Sequence, residues 1–338
     1  MNCQSEKIVT FLDLLGFSNA VNSDLQGAIR LLEDYSNAVR DALTDSVADG
    51  DANRKPNSHK EAHLMEMMLV SSFETLLPMS DSIFIVASDA SKFVLQISHF
   101  LMNCFNFSAG DFYIPEGGKA PTEARTEPAV SDGASSCKKP WPVLFRGGIT
   151  FGKCVVVPLP TIKDGEVGDC KSIIGSAVVE AVGLQGRTKG PRILCSLAIR
   201  PKISEDAAGY TFIGPPLNDE TGCEELYWPM AAFEDTENMA DAINNKLRNW
   251  FHVIANRYAH FRGDESVRIQ YESYIRLLVA SALRKYPEGR SELKQMIRDL
   301  EPDLLDIAFF HGLPPVPCGA QAARGHSLSN YPAARKTR

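Results

Sequence analysis

The sequence IVTFLDLLGFS at residues 8–18 decides how the rest of the chain is organised. Its first half is apolar and rich in β-branched and aromatic residues, which predicts a strand buried on both faces. The strand ends in a carboxylate, Asp13, and a turn at Gly16 then leads into a helix. Because an ionisable group beside a buried strand is costly unless it is paired or coordinated, Asp13 is a candidate functional residue.

A second acid occupies a similar position in MSDSIFIV, residues 79–86, where a polar turn opens another apolar strand. The segment near 68–77 is also typical of a strand, so the two predict a hairpin with Asp81 at its tip. Two carboxylates at the ends of neighbouring strands, beside exposed backbone N–H groups, suit a Mg²⁺ or Mn²⁺ site that holds a triphosphate. Either acid alone is explained equally well as a cap or a turn residue. The pair favours metal binding.

The composition narrows the class of protein. At 338 residues the chain has room for one large domain or two small ones, and its 23% of charged residues is ordinary for a globular protein. A formal charge of −7 argues against a protein that coats nucleic acid. The sequence shows no bilayer-spanning apolar run, no signal-peptide pattern and no C-x-x-C pair among its eight cysteines. We therefore expect a cytoplasmic protein with reduced thiols, and neither nucleic acid nor a membrane among its partners.

Strands and helices are predicted to alternate along the chain. In order, we expect a strand at 7–13, a helix from 23 or 24 to 43, strands near 68–77 and at 82–87, a helix at 91–107, strands at 141–150 and 154–159 around a turn at 151–153, a helix at 173–185 and a strand at 191–197. Polar stretches at about 45–64 and 108–140 are predicted to be flexible insertions, and 161–171 a loop. An edge strand is expected at 226–228, and helices at 238–261, 265–285 and 291–310.

This order, in which hairpins alternate with crossover helices, predicts an α+β sheet with helices on one face. No G-x-G-x-x-G follows a strand and no P-loop sequence occurs, which argues against a dinucleotide-binding or P-loop fold. We divide the chain into a core domain at 1–235, a C-terminal helical extension at 236–312 and a basic tail at 313–338 that is predicted to be disordered.

Four segments follow one another in a characteristic order: FLDLLGFS at 11–18, SDS at 80–82, RGGITFG at 146–152 and IGSAVVEA at 174–181. Together they resemble the class III adenylate/guanylate cyclase homology domain. The RGGI strand and GPRI at 190–193 are similar to the bacterial Pycsar pyrimidine (uridylate/cytidylate) cyclases of anti-phage defence. The resemblance implies a ferredoxin-like nucleotidyl cyclase sheet and a homodimer in which two protomers share the active sites.

The resemblance also implies roles for single residues. A cyclase joins the 3′-hydroxyl of a nucleoside triphosphate to its own α-phosphorus with the help of two divalent ions. Asp13, Leu14 and Asp81 would hold two Mg²⁺ or Mn²⁺ ions, and Arg146 would contact phosphate, unless it is an exposed strand-edge arginine. The backbone N–H groups of five consecutive residues would bind the β- and γ-phosphates: Leu14, Leu15, Gly16, Phe17 and Ser18.

The chain departs from the purine cyclases at four positions. Their transition-state Asn and Arg correspond to Val179 and Gly183, and their base-selecting Lys and Asp to Thr75 and Ser172. A smaller base is therefore favoured, and the leading hypothesis is conversion of UTP to 3′,5′-cyclic UMP, which would act on a separate effector protein. The alternatives are cyclic CMP from CTP, a purine cyclase, and a catalytically inactive cyclase-homology domain that binds a nucleotide or a partner. The two acids argue against the last.

Overall fold

The computed structural model describes residues 5–23, 25–48, 71–109, 142–163, 166–204, 207, 212–217 and 222–309. Its strands are β1 Ser5–Leu14, β2 Phe73–Met79, β3 Ser82–Ala87, β4 Phe145–Lys163, β5 Glu166–Ile174, β6 Ile193–Ser196, β7 Ile213–Gly214 and β8 Cys223–Leu226. The α-helices are α1 Phe17–Ser23, α2 Leu25–Ala48, α3 Ala90–Ala109, α4 Ser176–Gln185, α5 Met239–Ala242, α6 Arg248–His260, α7 Glu265–Lys285, α8 Arg290–Leu300 and α9 Leu305–Ala308. A π-helical turn, Ile243–Leu247, joins α5 to α6.

The strands form one mixed sheet in the order β2-β3-β1-β4-β6-β8-β7, and β5 pairs with β4 outside this path. β1 lies between β3 and β4 and is antiparallel to both. In this register Asp13 stands opposite Ser82 on one side and Arg146 on the other. Directly opposed residues share a face of the sheet, so strand register alone places three polar side chains together near the end of β1.

Helices cover both faces of the sheet. Ile8 and Leu12 of β1 belong to the large core that includes residues of α2 and α3. Val9 lies on the opposite face, where it clusters with Ala177 and Ala181 of α4. The predicted α+β class is therefore confirmed. The expectation that the helices lie on one face is wrong, because α4 packs on the other.

Gly148 explains why α4 can lie so close to β4. A Cβ atom at this position would come within 2.2 Å of the Ala181 carbonyl oxygen and 2.6 Å of the Leu184 Cβ. The missing side chain thus lets the helix backbone approach the strand, as an interior strand glycine often does.

The hairpin after the third helix lies further along the chain than predicted. Residues 151–153 continue β4 and pair with β1 as Ile8↔Phe151, Lys7↔Gly152 and Glu6↔Lys153, so the expected turn there is wrong. The expected loop at 161–171 is also wrong, because β4 runs to Lys163 and pairs with Glu166 of β5. Residues 164 and 165, between the two strands, lie outside the described residues.

Other boundaries differ less. The edge strand predicted at 226–228 is wrong: β8 ends at Leu226 and pairs with both β6 and β7, and a 3₁₀ helix begins at Trp228. A short helix, α1, precedes the predicted first helix, and α2 extends through residue 48. Within the two predicted insertions, residues 49–64 and 110–140 lie outside the described residues, as does the predicted tail at 313–338.

The C-terminal helices pack on the sheet domain through aromatic side chains. Trp250 of α6 lies with its ring centroid 4.7 Å from that of Phe105 in α3 and 5.8 Å from that of Trp228. Tyr274 of α7 meets Phe105 edge to face at 5.6 Å. These side chains belong to the same hydrophobic core as β1, so the predicted C-terminal helices are present and share the core of the sheet.

Candidate active site

Asp13 lies in a dense set of hydrogen-bond donors. Its Oδ2 accepts from Arg146 Nη2 and from Gln185 Nε2, both at 2.9 Å, and its Oδ1 accepts from Ser82 Oγ at 3.2 Å. The side chains of Asp13 and Arg146 are 23% and 21% exposed, so this ion pair is only partly desolvated. β3, β4 and α4 each supply one donor. The carboxylate is held from three directions.

The hairpin between β2 and β3 carries the second acid next to the first. Met79 and Ser82 pair directly, which leaves Ser80 and Asp81 as a two-residue turn. Ser80 has a φ of 59°, a left-handed conformation that non-glycine residues adopt at a cost. The main-chain oxygen of Asp81 accepts a 2.9 Å hydrogen bond from the Leu14 N–H, which ties the turn to the end of β1.

Both acids open onto one cavity of about 680 Å³. We call the part of its lining that belongs to the sheet and the turn after β1 the strand wall. It consists of Asp13, Leu14, Leu15, Gly16, Phe17, Ser18, Asn22, Asp81, Pro142, Leu144 and Arg146. The structure therefore brings every predicted metal and phosphate residue to one place, at a volume usual for small-molecule sites of about 300–1,000 Å³.

The sequence did not predict the other side of this cavity. We call it the helix wall, and it comes from the end of α6 and the first turns of α7: Phe261, Asp264, Ser266, Val267, Gln270 and Tyr271. Asp264 is the N-cap of α7, accepting hydrogen bonds from the N–H groups of Ser266 and Val267. A capping acid is readable from sequence, but nothing in that signal indicates a cavity.

The main chain of the turn limits which groups can bind phosphate. The Leu14 N–H is bonded to Asp81, and the Leu15 N–H donates to the Leu144 oxygen at 2.9 Å. The predicted phosphate cradle at residues 14–18 therefore narrows to the N–H groups of Gly16, Phe17 and Ser18. Gly16 has a φ of 85°, which glycine adopts without strain, and the turn depends on it.

The donor set at the cavity fits a divalent ion that arrives with a nucleotide. Mg²⁺ is commonly held by one or two carboxylates plus phosphate oxygens, and Asp13 and Asp81 supply two carboxylates. No group of three or more His, Cys, Asp or Glu side chains suited to a metal occurs in the part of the chain that the structure describes. The residues present thus suit a metal that is completed by its substrate.

Arg146 is anchored on two sides. Besides its bond to Asp13, its Nη1 donates to the Thr188 main-chain oxygen at 3.5 Å. Its Nε–H is buried and lacks a hydrogen-bond acceptor among the described residues. Arg146 lines the cavity and is only 21% exposed, and β4 pairs with strands on both sides, so it is not an exposed strand-edge arginine.

The residues predicted to select the base lie elsewhere. Thr75 is in β2 opposite Val86, and Ser172 is in β5 opposite Val157. Neither lines the cavity. Within one protomer Thr75 and Ser172 are therefore not part of the cavity, and their predicted role in selecting the base stays a prediction. Val179 on α4 is 75% exposed, and Gly183 meets no atom within 4 Å of a built Cβ, so both face open space.

Arg192, between α4 and β6, does not line the cavity. It is buried and forms a two-pronged ion pair with the buried Glu225, with both N–O distances at 2.7 Å. Glu225 also accepts from the Leu217 N–H at 2.7 Å. Arg192 thus satisfies the buried carboxylate on β8 and stabilises the sheet rather than the cavity.

The loop between α4 and β6 connects the two walls of the cavity. Its Thr188 contacts Arg146, its Lys189 oxygen accepts from Ser273 Oγ at 2.7 Å, and its Gly190 N–H donates to Gln270 Oε1. Gly190 has a φ of 72°, and a Cβ there would come within 2.5 Å of Ser273 Cβ. A glycine is therefore required where α7 packs against the loop.

No family model matches the chain, and no curated protein matches it either. Solved structures to which it is similar include the guanylyl cyclase Cya2, with 13% identity, a TM-score of 0.37 and coverage of 67% of this chain and 92% of that one. The adenylyl cyclase CyaB from Pseudomonas aeruginosa has 15% identity, a TM-score of 0.36 and coverage of 60% and 82%. Adenylate cyclases from Trypanosoma brucei in their monomeric state are also similar, one with 12% identity, a TM-score of 0.37 and coverage of 66% and 90%. Because these TM-scores are below 0.5, we base the functional proposal on the residues of the cavity.

No helix within the described ranges is both long enough and apolar enough to cross a membrane.

Proposed function

We propose that this protein is a pyrimidine nucleotide cyclase that converts UTP to 3′,5′-cyclic UMP and diphosphate. The observation that carries the proposal is the strand wall, where two carboxylates from adjacent strand ends line one cavity together with the glycine turn at 14–18. This combination suits a nucleoside triphosphate with divalent ions better than it suits a neutral ligand.

In this reaction a bond forms between O3′ and the α-phosphorus, and the bond from the α-phosphorus to the bridging oxygen of diphosphate breaks. The hydroxyl proton passes to water. Bound Mg²⁺ or Mn²⁺ would lower the pKa of the 3′-hydroxyl and balance charge on the departing diphosphate. Asp13, Leu14 and Asp81 would hold two such ions, and the N–H groups of residues 16–18 would bind phosphate oxygens.

Arg146 is the cation we assign to the phosphates. Its place in the cavity beside Asp13 supports this role. The pair of Val179 and Gly183 cannot stabilise developing negative charge, because neither side chain carries a polar group. Arg146 is therefore the residue that would contact the phosphates in their place.

A homodimer is part of the proposal. α4 exposes Val179 and Val182, three residues apart on one side of the helix, and Ile174 just before the helix is 57% exposed. An apolar surface next to the site suits burial against a second copy of the chain. Thr75 and Ser172 would then contact the base from the partner. Light scattering with the Val179→Lys variant tests this, since a monomer would result.

Two alternatives remain. CTP could replace UTP, because the hydroxyls of Thr75 and Ser172 donate and accept and so suit either base. An inactive nucleotide-binding domain is favoured by one observation, the three donors that already occupy Asp13. A signalling role in anti-phage defence, with a separate effector for the product, rests on the resemblance of the sequence to the Pycsar cyclases.

Incubation of the purified protein with each of the four nucleoside triphosphates and Mn²⁺ decides among these functions. Formation of cyclic UMP supports the proposal. Formation of cyclic CMP or of a cyclic purine nucleotide would show that the substrate is a nucleotide other than UTP. Nucleotide binding without a cyclic product would identify the inactive domain. The Asp81→Asn variant, tested in parallel, controls for a contaminating cyclase.

A further inference from the structure

The helix wall is fixed firmly to the rest of the cavity. Gln270 and Ser273 of α7 are bonded to the loop that also contacts Arg146. Phe261 stacks in parallel on Tyr271, with ring planes 3° apart and centroids 6.0 Å apart, and Tyr271 is buried. Because the bonds of Gln270 and Ser273 reach the loop that contacts Arg146, the wall has a defined position relative to the acids of the strand wall.

Both walls carry carboxylates, Asp13 and Asp81 on the strand wall and Asp264 on the helix wall, but of the described residues only those of the strand wall include a cation as well. Arg146 is the one cation among the described residues that line the cavity, and it lies on the strand wall. The helix wall carries the exposed carboxylate of Asp264, whose pKa is lowered because the Ser266 hydroxyl and the Val267 N–H donate to it. The carboxylate is ionised at neutral pH and would repel a phosphate, whereas it would accept hydrogen bonds from a hydroxyl or an N–H group.

The rest of the helix wall suits an uncharged ring system. Phe261 and Val267 are half-buried apolar residues, and both pack against the core. Apolar surface with a few polar groups at defined places is usual where an organic ligand binds. A triphosphate at the residue 16–18 turn and a sugar with its base at the helix wall would thus each meet matching chemistry.

We propose that the helix wall binds the nucleoside half of the substrate. Phe261 and Val267 would pack against the ring of the base, in addition to the contacts proposed for the partner's Thr75 and the partner's Ser172, and Asp264 would accept a hydrogen bond from the ribose 2′-hydroxyl. This rests on the proposed function, which places the 3′-hydroxyl at the α-phosphorus and so leaves the 2′-hydroxyl for Asp264. The helix wall belongs to the same chain as Asp13 and Asp81. Selection of a ribonucleotide is therefore a property of each protomer.

The test measures binding, by calorimetry with Mn²⁺, of three ligands that cannot cyclise. They are α,β-methylene-UTP, its 2′-deoxy form and inorganic triphosphate. Asp264→Asn keeps a good N-cap residue. It should lower the affinity for α,β-methylene-UTP by about tenfold, the loss expected when a hydrogen bond to a charged group is removed. Binding of the 2′-deoxy form and of triphosphate should not change.

Glu265→Gln is the matched control, because it removes the neighbouring negative charge from a residue that does not line this cavity. It should leave all three affinities unchanged. Equal losses in the two variants, or a loss on the 2′-deoxy form equal to that on the ribonucleotide, would overturn the role of Asp264.

A second variant tests the wall without relying on one hydrogen bond. Ser266 is exposed, so Ser266→Trp should be tolerated by the fold while it fills the cavity. Both nucleotide analogues should then bind more weakly than to the wild-type protein, whereas inorganic triphosphate should bind with unchanged affinity. Loss of triphosphate binding would overturn the assignment of the nucleoside to this wall.

The proposed function and this inference can fail separately. If the wild-type protein makes no cyclic product but binds the analogues with the pattern above, the helix wall stands and the cyclase assignment falls. If it makes cyclic UMP while Asp264→Asn and Ser266→Trp bind the analogues like the wild type, the helix wall falls and the cyclase assignment stands.

Discussion

The two walls of the cavity reach the same place by different routes. The strand wall is assembled by neighbours in a sheet, where Asp13 stands opposite Ser82 and Arg146 in adjacent strands. The helix wall is brought in by α7, whose contacts with the sheet domain run through the loop at 188–190. The register of paired strands therefore fixes the first wall, whereas the second depends on how a helix docks on the sheet domain.

This difference also separates the chemistry of the walls. Strand ends and a glycine turn offer carboxylates and main-chain N–H groups at fixed spacing, which suits metal and phosphate. A docked helix offers side chains of varied size and polarity, which suits recognition of an organic group. The variants below change one wall, or the joint between the two, while the other is left intact.

Loss of either acid should have the largest effect. We expect Asp13→Ala and Asp81→Ala each to lower the rate of cyclic nucleotide formation by at least about 10²–10³-fold, because each removes a carboxylate that would hold the metal. Both residues lie at strand ends outside the core, so the circular dichroism spectrum should not change. Substantial cyclic product from either variant would contradict the metal assignment.

Arg146→Ala should have the next largest effect on activity. It removes both the partner of Asp13 and the proposed phosphate cation, and we expect a loss of about 10–100-fold. Arg187→Ala is the matched control, since Arg187 is an exposed residue near the same loop and does not line the cavity. Steady-state rates of the two variants test this, and equal losses would remove the special role of Arg146.

Gly190→Ala tests the joint between the walls. The new Cβ would meet Ser273 Cβ at 2.5 Å and the Gln270 main-chain oxygen at 2.7 Å, at a positive φ. We expect the free energy of unfolding in urea to fall by about 2–3 kcal/mol.

The matched control for that variant is Gly183→Ala, a helical position where a Cβ meets no atom within 4 Å. It should increase the free energy of unfolding by about 0.5–1 kcal/mol. A Gly190→Ala protein as stable as the wild type would show that α7 does not dock on the loop as described.

The smallest effect is expected at the turn that carries Asp81. Ser80→Gly relieves a left-handed backbone conformation at the cost of added chain entropy, and should increase the free energy of unfolding by about 0.5 kcal/mol. Ser80→Ala keeps the backbone cost and should give no increase. Urea denaturation of both variants separates relief of backbone strain from loss of the hydroxyl.

The parts of the site that could be predicted from sequence are those fixed by local patterns. Asp13 and Asp81 each follow or precede an apolar strand, and Gly16 marks the turn, so their clustering could be expected before the structure was known. The order of strands and helices from β1 to β4 could be predicted for the same reason, except that α1 was missed, and β5, which follows β4, was missed as well. The β4–β5 hairpin was misplaced because Gly152-Lys153 suggests a turn, although Lys7↔Gly152 pairing keeps it extended.

The helix wall could not be predicted, for a physical reason. The contact between Gly190 and Gln270 depends on how α7 packs against the loop, and hydrophobic periodicity does not specify that packing. The partners of Asp13 were missed in part for the same reason. Arg146 follows from strand register, but Gln185 reaches Asp13 because α4 lies on the face of the sheet that was expected to be bare.

In the protein without ligand, the guanidinium of Arg146 is the counter-ion of the Asp13 carboxylate. Until phosphates take over the guanidinium, the carboxylate charge is already balanced from within the chain, and a neighbouring acid alone is a weak attraction for a free cation. Affinity for Mg²⁺ or Mn²⁺ should therefore be low without nucleotide and rise sharply with it. If the proposed function holds, the divalent ions would therefore bind mainly together with the triphosphate.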